Sequence, residues 1–177
     1  MAGGYGERAD RRLALSSLNP SMETLVVARV LHVLSIVLWI GGVGMVTTVL
    51  LPAVRRFKSV EEQVAFFAAV EARFAWQARL TTLVAGLSGF YMLAVMDAWH
   101  WYAYSSFWWI HAMTLIWVVF TLMLFVLEPL VLHRWFLQQA KQFPEKTFRT
   151  IQRLHWVLLS LSLITIAGAV AGSHGGF

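Results

Sequence analysis

The sequence predicts an all-α integral membrane protein: an antiparallel bundle of four transmembrane helices, with an amphipathic helix between the first and second spans. Three observations carry this. Of the 177 residues, 59% are hydrophobic and only 13% charged, whereas about a quarter of a typical soluble domain is charged. Four stretches between charges are long and apolar, and a bilayer core of about 30 Å takes about 20 helical residues to cross. Lys and Arg gather in two of the three connections and are missing from the other.

The stretches run from Val30 to Val54, from Leu80 to Met96, from Ala98 to Leu127, and from Leu154 to the C-terminus. In the third, Tyr102, Tyr104, Ser105 and Ser106 mark a loop, so its helix is expected to start near Phe107. Residues 1–22 read as a polar tail without the apolar core of a signal peptide, and residues 23–177 as the four-helix domain. The first connection opens with Ser59 and Glu62 at capping-box spacing, followed by Val60, Val64, Phe67, Val70 and Phe74 at helical intervals. This predicts an amphipathic helix on the inner surface that runs into the second span. Pro144, followed by Phe148, Ile151 and Leu154 on one side, predicts that the fourth helix starts below the membrane.

The first connection carries Arg55, Arg56, Lys58, Arg73 and Arg79, and the last carries Arg134, Lys141, Lys146, Arg149 and Arg153. Residues 97–106 carry none. By the positive-inside rule both basic connections are cytoplasmic and both termini periplasmic, as in a bacterial inner membrane, against the weaker vote of Arg8, Arg11 and Arg12. The net charge of +5 therefore faces lipid headgroups rather than nucleic acid. The absence of cysteine excludes disulfides, thiolate metal sites, iron–sulfur ligation and the covalent attachment of a c-type haem.

Any cofactor is then held non-covalently, and the six histidines are the candidates. His32 and His111 fall at similar outer depth on helices that are diagonal in an up-and-down bundle, where two imidazoles suit the axial positions of one haem iron. Intramembrane ionisable residues are rare and usually functional, although a histidine near a helix end can simply hydrogen-bond water. Gly168 and Gly172 offer a thin wall at that level, or an ordinary helix contact. Arg29, one turn outward of His32, can pair with a propionate or snorkel to a headgroup.

On the inner side His133 and His155 form a conceivable second ligand pair. His133 lies 22 residues beyond His111, about 33 Å along a helix, and so at the membrane boundary. Glu128 is expected to pair with Arg134 or Arg153 beside a kink at Pro129. Met96 and His100 at i, i+4 spacing have copper-compatible chemistry. The nine tryptophans suit interfacial anchoring.

The segment from Leu31 to Gly42, with His32, Trp39, Gly41 and Gly42, resembles the opening helix of copper-resistance-D-like membrane proteins and of HemJ-type protoporphyrinogen oxidases. Trp109-Ile110-His111-Ala112-Met113 is similar to a HemJ segment, but Met113 stands where that family carries a lysine, which counts against porphyrinogen oxidation. The resemblance implies haem b binding or copper handling. The resulting expectation is a haem b protein of electron transfer or small-molecule redox chemistry, with one haem or two. Copper transport and a structural role in a membrane complex are the alternatives. The apolar surface leaves room for lipid or a second protomer, and no redox partner is specified.

Overall fold

The computed structural model describes residues 20–57 and 59–176, so residues 1–19 of the expected tail lie outside the described residues. All the regular structure among them is helical: α1 (Pro20–Met45), a π-helical turn (Val46–Leu50), α2 (Leu51–Val54), α3 (Val60–Val95), two 3-10 turns (Ala98–Ala103 and Ser105–Phe107), α4 (Trp108–Leu122), a π-helical segment (Met123–Leu132), α5 (His133–Gln142) and α6 (Pro144–Ser173). Four continuous helices are long and apolar enough to cross a membrane: Met22–Val54, Val60–Val95, Ser105–Leu130 and Pro144–Ser173. The first span packs chiefly on the second and the third chiefly on the fourth, while the second also meets the third and the first meets the fourth.

The capping signal sets the start of α3. Ser59 is extended, and its Oγ accepts from the Glu62 N–H at 3.1 Å. From there the helix continues unbroken for 36 residues, about 54 Å, so the expected amphipathic helix and the second span are one rod. Its inner part does not lie bare on a lipid surface. Val64 and Phe67 are buried against Leu51, Val54, Phe136 and Phe148, because α5 and α6 fold back over that apolar face. The fourth helix begins at Pro144, whose missing N–H costs nothing at a first turn.

Higher in the molecule, large rings seat on glycines. A Cβ at Gly42 would collide with Phe74, and one at Gly86 with Trp117. The Trp117 indole N–H donates to the Thr82 carbonyl at 2.9 Å, tying the third span to the second. With Trp39, Ile40, Val43, Ala85, Phe120 and Leu159 this forms the upper core. Between lipid-facing helices such close packing and interhelical hydrogen bonds supply the attraction that exclusion from water supplies in a soluble core.

Two prolines break the backbone ladder in the same way. In a π-helical register the N–H of residue i+5 bonds the carbonyl of residue i, so Pro52 leaves the Thr47 carbonyl without its donor and Pro129 leaves that of Leu124. Each is served from another helix. Gln152 Nε2 donates to Thr47 O at 3.4 Å, and Arg79 Nε donates to Leu124 O at 3.0 Å. An unsatisfied carbonyl in hydrocarbon costs several kcal/mol, which gives both polar side chains a structural reason to point inward.

Candidate functional site

Two cavities lie one above the other between the helices, and Trp39 lines both. The one on the side of the 97–106 connection, called outer after the expected orientation, is about 230 Å³ and is lined by residues of all four spans, including His32, Trp101, Tyr102, Met113, Trp117 and Thr165. His32 Nδ1 lies 2.8 Å from the Ala85 carbonyl and 3.2 Å from Ser88 Oγ. A carbonyl only accepts, so Nδ1 carries the proton and Nε2 keeps its lone pair. Gly89 makes this approach possible: a Cβ there would lie 3.1 Å from His32 Cε1. A ring fixed by an Nδ1–H to carbonyl bond, with Nε2 unprotonated, is the form in which histidine ligates a metal.

His111 is not brought together with His32. It is exposed, and it is absent from the lining of the outer cavity. Its Nε2–H donates to the Tyr102 carbonyl at 3.1 Å, and its ring meets that of Tyr102 edge to face. Helical phase explains this. Ile110, Met113, Thr114 and Trp117 recur at helical spacing and line the cavity, so position 111 turns away from it. The donor that α4 does present there is the thioether of Met113, and Met92 of α3 and Met96 just past its end line the same space. Tyr102 is held in place by its hydroxyl, which donates to Thr114 Oγ1 at 2.6 Å because the Thr114 hydroxyl is already given to Ile110 O.

Gly168 and Gly172 receive rings of the third span. A Cβ at Gly168 would overlap Trp108, and one at Gly172 would overlap Trp109. Both glycines pack against these rings, and the glycines that line the outer cavity are Gly86 and Gly89 of α3. Arg29 is exposed on α1, one turn outward of His32. His100 is exposed too, with Nδ1–H donating to Asp97 O at 2.8 Å, while Met96 reaches the cavity. Asp97 takes a left-handed conformation, φ 50°, at the end of the second span. No group of three or more His, Asp or Glu side chains is arranged to hold a metal ion among the described residues.

This chain matches no family model, no curated protein and no solved structure.

The inner cavity is larger, about 420 Å³, and includes Phe67, Phe74, Phe120, Glu128, Trp135 and His155 in its wall. His155 is half-buried, and its Nδ1–H donates to Ile151 O at 2.9 Å, again leaving Nε2 as the acceptor. The side chain of His133 lies outside the described residues, so a pairing with His155 has no geometry here. The side chain of Arg134 lies outside the described residues, and among the described ones Glu128 does not pair with Arg153. It pairs with Arg79 of the second span, whose Nη2 reaches Glu128 Oε2. Arg79 is already anchored at the Leu124 carbonyl freed by Pro129, one turn before the carboxylate. One side chain therefore satisfies a broken ladder and neutralises a carboxylate at the same level.

Proposed function

We propose that this protein is a haem b-binding membrane protein of electron transfer or small-molecule redox chemistry, with His32 as the iron ligand in the outer cavity. The observation that carries the reading is the His32 ring: its Nδ1–H is committed to Ala85 O, and the residue lines an apolar cavity. The donor set suits the group, since imidazole and thioether are both haem ligands, but at about 230 Å³ the cavity is below the usual range of about 300–1,000 Å³, so haem would have to part the helices to enter. His32 would hold the iron on one side, and Met113, which lines the same cavity, is favoured for the other. His111 would need to release Tyr102 O and turn inward to take that place. Arg29, exposed on α1 one turn from His32, would supply the cation for a propionate. Bound there, haem b would supply a one-electron iron couple. The chain's own contribution is to fix the His32 ring through Ala85 and Ser88 and to line the site with aromatic side chains.

Absorption spectra of the ferric protein test the ligand set. Met113→Ala should convert a low-spin spectrum to high spin, while His111→Ala should leave it unchanged. The reverse result would return the sixth position to His111.

The orientation belongs to the same reading: an antiparallel four-helix bundle in a bacterial inner membrane, with both basic connections cytoplasmic. Glu61 and Ser106 are exposed in different connections. Cysteines placed at Glu61 and at Ser106 should react with an impermeant maleimide from opposite sides, Ser106→Cys in intact cells and Glu61→Cys only after lysis. Labelling of both in intact cells would contradict the orientation.

A further inference from the structure

We infer that the inner cavity is a binding site for a hydroquinone, a lipophilic aromatic ring with a hydroxyl at each end. The site is independent of whether the outer cavity holds haem. Its volume, about 420 Å³, lies within the usual range of about 300–1,000 Å³ for small-molecule sites. Its wall is mainly apolar and aromatic, with Phe67, Phe74, Phe120 and Trp135 around it. Such a lining takes a flat ring by stacking and edge contacts.

The polar groups specify what the ring carries. His155 Nε2 is an acceptor, because Nδ1 holds the proton in its bond to Ile151 O. Trp39, only 4% exposed, lines both cavities, and its buried indole N–H has no hydrogen-bond partner. A buried donor left unpaired costs about 1–3 kcal/mol, so the cavity wants an acceptor for Trp39 and a donor for His155. A hydroquinone offers both. One hydroxyl donates to His155 Nε2, and the oxygen of the other accepts from Trp39. The oxidised quinone has no O–H and satisfies only Trp39, so the reduced form binds more tightly. Glu71 and Glu128 line the cavity as well, Glu128 with its Oε2 engaged by Arg79, so His155→Leu separates the histidine's share of the binding from that of the carboxylates.

Equilibrium retention of tritiated decylbenzoquinol and decylbenzoquinone by the purified full-length protein in detergent tests this, the quinol under anaerobic reductant. The quinol should bind saturably, near one per chain, and about tenfold more tightly than the quinone, the ratio set by one buried hydrogen bond. His155→Leu should abolish that preference while leaving quinone affinity and helical content unchanged. Trp39→Phe should weaken both forms together. Non-saturable uptake, equal affinity of the two forms, or a preference that survives His155→Leu would each overturn the proposal. So would loss of a haem Soret band in His155→Leu, which would make His155 an iron ligand. A colourless protein that still prefers the quinol would sink the haem reading and leave this one standing.

Discussion

Replacing His32 by alanine should remove haem from the purified protein, with the pyridine haemochrome falling at least about tenfold at matched expression, since a lost axial ligand removes a bond that no neighbour supplies. The effect should be local. His32 touches α3 through Ala85, Ser88 and Gly89, and the core around Trp39 and Phe120 does not depend on it. Circular dichroism and elution volume should therefore match the parent. His32→Gln, with an amide and no imidazole lone pair, should fail in the same way, whereas added imidazole should restore part of the signal in His32→Ala. A variant that keeps full haem content would show that His32 is only a satisfied interhelical hydrogen bond.

Arg79→Leu should be the most damaging change to stability. It leaves the Leu124 carbonyl without a donor and Glu128 without its cation, and removing one partner of a buried pair costs about 3–5 kcal/mol. Both side chains keep some exposure, 26% for Arg79 and 21% for Glu128, so about 3 kcal/mol is expected. Glu128→Leu should cost less, because Arg79 retains Leu124 O. The double variant should recover part of the loss relative to Arg79→Leu, since no lone charge remains. Thermal unfolding of the three variants in one detergent measures the coupling. Purely additive losses would mean that the two side chains do not act as a pair.

The four spans were legible because hydropathy and charge position report depth along a helix. Ser59 with Glu62 and Pro144 marked helix starts for the same reason: capping chemistry is local. What the sequence left open was azimuth, the direction in which each side chain leaves its helix. His111 was placed at the depth of His32, but the repeat of Ile110, Met113, Thr114 and Trp117 puts the cavity face elsewhere. That repeat was readable and would have favoured Met113. Glu128 had several arginines within plausible reach, and the choice of Arg79, 49 residues away, follows from which helices pack together. The missing N–H of Pro129 was a local clue, since it demanded a donor for Leu124 O from another span. Gly168 and Gly172 show the same ambiguity, because a small residue makes room without saying for what, and here the occupants are Trp108 and Trp109.

The central claim is haem b at His32, and the absorption spectrum of the purified wild-type protein, with its pyridine haemochrome, tests it most directly. The account predicts a Soret band that sharpens on reduction and close to one haem b per chain from the outer cavity. A protein purified from haem-replete cells that shows no Soret band, and gains none on titration with hemin, would contradict it and put the copper or structural reading ahead.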